Sequence, residues 1–219
     1  MFTGIIEEIG TIKQIIRGDQ AIILEIEAKK VLNDVKLGDS IAVNGVCLTV
    51  TTFSANRFTV DVMPETVRAT SLQSLNAGSK VNLERAMIAN GRFGGHFVSG
   101  HVDGTGIIHD KKRVANAVYY TITVDAELSR YLMLKGSVTV DGTSLTIFGA
   151  SDNSFTISLI PHTLNETILG GKGKGDTVNI EVDMLAKYMD HLMRQQNGNV
   201  GATPKTGMSS SFLEEHGFK

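Results

Sequence analysis

Three matched positions in the chain pair residues of unlike chemical character. The octet Val43 to Val50, VNGVCLTV, returns ninety-seven residues later as Val140 to Ile147, VDGTSLTI, with Ser144 in place of Cys47. The same offset sets His162 against Glu65, and an offset of ninety-six sets His101 against Ile5. Thiol, hydroxyl, imidazole and carboxylate are the groups that add to electron-poor centres or move protons near neutral pH. Each also has an ordinary structural use. A buried cysteine packs as a small hydrophobe, a strand serine satisfies hydrogen bonds, and a lone histidine caps or sits on the surface. What favours chemistry is the confinement of the differences to matched positions. Two pockets of like shape and unlike acid, base and nucleophile character suit two copies of one substrate in different roles.

The elements that would position these groups are themselves duplicated. Asn56 to Leu72, NRFTVDVMPETVRATSL, aligns with Asn153 to Leu169, NSFTISLIPHTLNETIL, and Gly78 to Met87 aligns with Gly175 to Met184. The segment from Phe2, FTGIIEEIGTI, lies over VSGHVDGTGII from Val98 and matches Gly4 to Gly100 and Gly10 to Gly106. An ordered series of blocks at nearly constant offset is the signature of duplication. It divides the chain into repeat 1 at residues 1–96, repeat 2 at 97–185, and a tail at 186–219. Within each repeat, short runs rich in Val, Ile, Thr and Phe alternate between apolar and polar, with Gly, Asn and Asp between them, which predicts strands. Five or six strands in under a hundred residues predict a small closed antiparallel barrel, because closure removes exposed edges. Pro64 and Pro161 predict a short helix after a strand in each repeat, proline being suited to the first helical position. In the tail, Leu185, Tyr188, Met189, Leu192 and Met193 fall on one helical stripe, which would cover a barrel or a second subunit. Beyond it, GNVGATPKTGMSSS reads as a linker and Ser211 to Glu214 as a capping box.

Composition narrows the function. Lys and Arg number 21 against 23 Asp and Glu, a net charge of -2, so no basic field exists to hold nucleic acid or an anionic membrane. The one cysteine permits no internal disulfide, and the acidic start MFTGIIEEIG is unlike a signal peptide; both indicate the cytoplasm. No window approaches a membrane span. The glycine-rich runs Ala89 to Gly106 and Gly170 to Asp176 match no nucleotide-loop fingerprint. His96, His101, Asp103 and His109 have the spacing of no standard metal site, so no metal is expected.

The blocks MFTGIIEE, GDSIAVNGVCLTV, DVMPETVRATSL, GGHFVSGHVDGTG, KGSVTVDGTSLTIFG, LIPHTLNETIL and VNIEVDM together resemble the riboflavin synthase family, the alpha-chain type built from two lumazine-binding repeats. The likeness spans about residues 1–190. It implies an all-β fold of two homologous six-stranded antiparallel Greek-key barrels followed by a C-terminal helix, and a homotrimer held partly by that helix. It implies dismutation of two molecules of 6,7-dimethyl-8-ribityllumazine, two per site, with transfer of a four-carbon unit to give riboflavin and a ribitylaminopyrimidinedione, without metal or redox cofactor. Lumazine synthase is a candidate partner. The family's ligand-contacting segments fall on Gly4, Ile5, Ile6, Cys47, Leu48, Thr49, Asp61, Val62, Met63, Pro64, Glu65 and Thr66 in the first barrel. In the second they fall on Gly100, His101, Val102, Lys135, Ser144, Leu145, Thr146, Ser158, Leu159, Ile160, Pro161, His162 and Thr163. For catalysis the resemblance points to Phe2, Ser40, Cys47, His101, Ser144 and Asp183. His101 would be base or proton shuttle, Ser40 and Cys47 would stabilise an adduct, Asp183 would assist, and Phe2 would stack on or fence the ring. The attacking group and the donor barrel stay open. Two other classes compete: a lumazine- or flavin-binding relative without chemistry, and a flavin-dependent reductase, for whose nicotinamide domain the chain has no room. Polar equipment in both repeats favours the enzyme.

Overall fold

The computed structural model describes residues 1–18 and 21–198. Alternation of apolar and polar residues becomes strand almost everywhere that it occurs. The first repeat folds as β1 (Glu8–Arg17), β2 (Ile22–Glu27), β3 (Ser40–Val43), β4 (Val46–Phe53), β5 (Arg57–Val62) and β6 (Lys80–Arg85). They close in the order β1-β2-β5-β4-β3-β6, with every neighbouring pair antiparallel. The second repeat gives β7 (Gly104–Val114), β8 (Ala117–Thr123), β9 (Ser137–Val140), β10 (Thr143–Ser151), β11 (Ser154–Leu159) and β12 (Thr177–Val182), closed in the matching order. This is the expected pair of six-stranded Greek-key barrels. Each barrel has its own core, centred on Ile12, Ile26, Ile41, Phe58 and Leu83 in one and on Ile108, Tyr120, Ile147, Phe155 and Ile180 in the other.

The period of two decides which side chains enter those cores. Along β11, Phe155, Ile157 and Leu159 point inward while Ser154, Thr156 and Ser158 face out. Helices α1 (Pro64–Ala69) and α3 (Pro161–Glu166) begin on their prolines directly after β5 and β11, as expected. A one-turn helix, α2 (Ala126–Ser129), follows β8 in addition to the expected elements. The tail forms α4 (Met184–Gly198), whose Leu185, Tyr188, Met189, Leu192 and Met193 are all more than half exposed. The linker and the capping box at 211–214 lie outside the described residues. No described helix is long and apolar enough to cross a membrane.

The hairpins carrying the repeated octets meet back to back. Asn44-Gly45 has φ of 48° and 82°, and Asp141-Gly142 has φ of 45° and 80°, as a tight turn with two left-handed residues requires. A Cβ on Gly45 would lie 2.8 Å from the Gly142 amide nitrogen, so glycine is needed for the approach as well as for the turn. Around this contact Asn82 donates its amide to Asn44 Oδ1 (2.8 Å) and its side chain to the Asp141 carbonyl (2.8 Å). Asn179 repeats both bonds with Asp141 Oδ1 and the Asn44 carbonyl, each at 2.8 Å. The two barrels are joined by this buried seam. It is symmetric but for one charge: Asp141, fully buried, meets Lys172 Nζ at 2.7 Å, where the first barrel has Asn44 and Leu75. Burial holds the Asp141 carboxyl above the usual carboxylate range despite the lysine.

Candidate active site

The N-terminal segments of the two repeats do not stay with their own barrels. Phe2 and Val98 pair antiparallel through Phe2 N–H to Val98 O (2.7 Å) and Val98 N–H to Phe2 O (3.2 Å). From that crossing each segment runs onto the opposite barrel. The Ser144 amide donates to Gly4 O at 2.7 Å, and the Cys47 amide donates to Gly100 O at 2.8 Å. Gly4 (φ +76°) and Gly100 (φ +80°) would each bring a Cβ to within 2.6 Å or less of the Cβ of Ser144 and Cys47 respectively, so only glycine fits. Val102 packs against the core of the first barrel. This corrects the grouping expected from the sequence: Gly4 reaches Ser144 of the second barrel, and Gly100 and Val102 reach the first, while Ile5 lines a groove with Ser40 of its own barrel. Sequence order groups each segment with the barrel that follows it, whereas backbone pairing sends it to the other.

The two surroundings then differ sharply. Ser144 Oγ lies 2.7 Å from His96 Nδ1, and His96 Nε2 lies 3.2 Å from Thr139 Oγ1. The imidazole is buried, which pushes its pKa below the ordinary 6.5, with Asp183 pulling weakly the other way. A neutral imidazole bonded to a hydroxyl accepts a proton from it as a general base. At the matched positions of the first barrel, Ala42 replaces Thr139, Cys47 replaces Ser144 and Ala86 replaces Asp183. Phe2, Ala42 and Val98 cluster there, with Cys47 and Ala86 packed against them. One surrounding is a hydrogen-bonded relay and the other an apolar patch around a half-buried thiol.

His96 is the residue that comparison of the repeats could not find, because its counterpart would precede Met1. The expected base, His101, is exposed, with its amide donating to Ser99 Oγ at 3.2 Å. Phe2 is fully buried, so its ring walls the Cys47 side and offers no free face to stack on. Ser40 is half-buried at the start of β3, opposite Thr49, and with Ile5 it lines a groove of about 760 Å³. Leu48, Val62 and Leu159 were expected at the ligand, yet all three side chains are in barrel cores. Being neighbours of outward residues, they turn inward by the strand period. Thr49, Asp61 and Met63 face outward on the first barrel, as do Thr146, Ser158 and Ile160 on the second, with Leu145 half-buried. Pro64, Glu65 and Thr66 form the first turn of α1, and Pro161, His162 and Thr163 that of α3. Glu65 pairs with Arg68 at 2.7 Å. Lys135 holds a left-handed φ of +67° where the first barrel has Gly38, and its ammonium sits 4.4 Å from the Phe148 ring centre. Asp183 follows the last strand, half-buried. Among the described residues no cluster of His, Cys, Asp or Glu has the form of a metal site.

Two barrels with crossed segments over matched polar edges define a class of double-barrel protein, and comparison with known proteins identifies it. The lumazine binding domain model matches residues 3–86 and again 99–183. The chain is 60% identical to riboflavin synthase of Bacillus subtilis (strain 168) over all of both chains, and 52% identical to that of Actinobacillus pleuropneumoniae, again over all of both. The Schizosaccharomyces pombe enzyme is 45% identical over 88% of this chain and 94% of its own. Among solved structures, LumP complexed with riboflavin matches at a TM-score of 0.77 and 27% identity, covering 83% of this chain and 99% of that one. LumP complexed with 6,7-dimethyl-8-(1'-D-ribityl) lumazine matches at 0.75 and 27%. The chain belongs to the riboflavin synthase family, built from two lumazine-binding domains.

Proposed function

We propose that the chain catalyses the riboflavin synthase reaction. Two molecules of 6,7-dimethyl-8-ribityllumazine exchange a four-carbon unit, and riboflavin and 5-amino-6-(D-ribitylamino)uracil leave. The observation that carries this reading is the asymmetry of otherwise matched pockets, Ser144 with His96 and Thr139 in one and Cys47 with Ala42 and Ala86 in the other. A binding-only protein needs no proton acceptor in either pocket. A dismutase needs one pocket that takes a proton and one that holds the acceptor.

One lumazine lies against Cys47, Thr49 and the Asp61 to Thr66 corner, with Gly100, His101 and Val102 laid over it from the other repeat. The second lies against Ser144, Thr146, Lys135 and the Ser158 to Thr163 corner, with Gly4, Ile5 and Ile6 laid over it. The exposed Thr49 and Thr146 hydroxyls and nearby backbone amides read ring carbonyls and nitrogens, and Thr66 and Thr163 bind ribityl hydroxyls. The lumazine's own electron-poor ring stabilises the carbanion left when its C7 methyl loses a proton. The Ser144–His96 pair takes that proton, with His101 as shuttle to solvent and Asp183 assisting His96. Ser40 and Cys47 stabilise the acceptor's adduct. Holding the reactants together supplies much of the acceleration.

Assembly completes the site. The exposed stripe of α4 joins three copies, bringing the first barrel of one subunit to the second barrel of the next; lumazine synthase is an optional further partner. The lone cysteine suits a reducing cytoplasm. Mixing purified protein with 6,7-dimethyl-8-ribityllumazine should yield riboflavin absorbance, and binding without turnover would assign the chain to the chromophore-binding class that the LumP likeness represents. Truncation before Leu185 should shift sedimentation from trimer toward monomer; an unchanged trimer refutes the role of α4.

A further inference from the structure

The crossed segments are held by two buried carboxylates that none of the chemistry above uses. Glu84, on β6, and Glu181, on β12, are 4% and 2% exposed. Glu84 Oε1 accepts from the Thr3 amide and the Thr3 hydroxyl, both at 2.7 Å, and Oε2 accepts from the Gly4 amide at 3.0 Å. Glu181 Oε1 accepts from the Ser99 amide (2.6 Å) and the Ser99 hydroxyl (2.7 Å), and Oε2 accepts from the Gly100 amide (3.0 Å). In both clamps the same hydroxyl accepts the next amide, Ile5 to Thr3 Oγ1 at 3.3 Å and His101 to Ser99 Oγ at 3.2 Å. Three donors on one anion make strong, charge-assisted bonds. Each carboxylate grips the segment that leads into its own barrel, yet the gripped glycine delivers its carbonyl to the other barrel's octet.

We propose that Glu84 and Glu181 are positioning residues that act in a crossed sense: Glu181, in the second barrel, sets the pocket around Cys47 in the first, and Glu84, in the first barrel, sets the pocket around Ser144 in the second. The segment cannot be held by its covering contact alone. Gly100 meets Cys47 through one backbone hydrogen bond at 2.8 Å and Gly4 meets Ser144 through one at 2.7 Å, whereas each clamp supplies three. The inference rests on the proposed pockets for its effect on turnover but not for its effect on geometry. The chain's single cysteine, lying directly under Gly100, reports that geometry separately.

The test measures alkylation of Cys47 by iodoacetamide, well below the melting temperature, together with riboflavin formation. In Glu181→Gln the new amide NH2 faces the Gly100 N–H, so the segment loosens. Labelling should rise roughly tenfold, as loss of about one charge-assisted hydrogen bond allows. Glu84→Gln should leave labelling within about twofold of the parent while lowering turnover, since its segment covers Ser144. Where a glutamine variant fails to fold, Ser99→Ala and Thr3→Ala each remove only the hydroxyl's bonds and should show the same crossed pattern. Equal acceleration by both variants, faster labelling in Glu84→Gln, or no change in Glu181→Gln overturns the proposal. Faster labelling in Glu181→Gln with unchanged turnover upholds the crossed clamps and overturns the assignment of the pockets.

Discussion

The two barrels share strand order, hairpin turn, proline corner and carboxylate clamp, and they part where a reacting molecule would lie. Around Ser144 stand His96, from the segment between the barrels, Thr139 and the field of Asp183; around Cys47 stand Ala42, Ala86, Phe2 and Val98. What holds a segment over the octet is kept in both copies, and the hydrogen-bonded imidazole stands beside one octet only. The proposed division of chemistry rests on that difference. The seam shows the same division on a smaller scale. Its paired asparagines are kept in both halves, and a single buried ion pair is present in one.

The comparison breaks first at His96. Replacing it with Gln keeps a hydrogen bond to Ser144 but removes the proposed base, so turnover should fall by about 10²-fold or more while ligand affinity, read by flavin fluorescence, changes little. A similar loss in His101→Ala, with His96→Gln near the parent rate, would move the base to the exposed histidine and dissolve the contrast. The seam gives the next effect. Asp141→Asn copies the first barrel's residue but leaves Lys172 only its bond to the Thr177 carbonyl, and should cost about 2 kcal/mol in denaturant unfolding, less than a fully buried pair because the lysine is partly exposed. Adding Lys172→Leu reproduces the combination of Asn44 and Leu75 and should recover most of that loss. No recovery would show that the halves tolerate different seams for reasons other than this charge.

The smallest effect is in pH. Burial lowers the pKa of folded His96, so below the ordinary value of 6.5 the unfolded chain binds a proton that the folded chain resists. Stability from this group is therefore present above that value and declines as pH falls through the interval below it. His96→Gln should show a flatter decline in melting temperature on acidification than the parent, and identical slopes would place His96 in an environment that does not resist charging.

Much of this was legible in the residues. The period of two and the prolines after β5 and β11 act over a few positions, so local chemistry alone sets them. The exchange of Cys47 for Ser144 was visible because the duplication supplies its own reference. Three features were not. His96 has no internal counterpart, Leu48, Val62 and Leu159 took their direction from the strand rather than from their neighbours' roles, and the crossing of the two N-terminal segments joins residues about a hundred positions apart.

By itself, then, the sequence determined two homologous barrels, their proline corners, and the positions at which they differ. Those properties follow from periodicity and propensity, which each repeat carries whole. Only the tertiary structure decided which segment covers which octet, because Gly4 and Gly100 are equally able to approach either one. The choice is made by buried donors that must find acceptors: with Glu84 and Glu181 holding their own segments and Phe2 paired to Val98, the remaining carbonyls reach the opposite barrel.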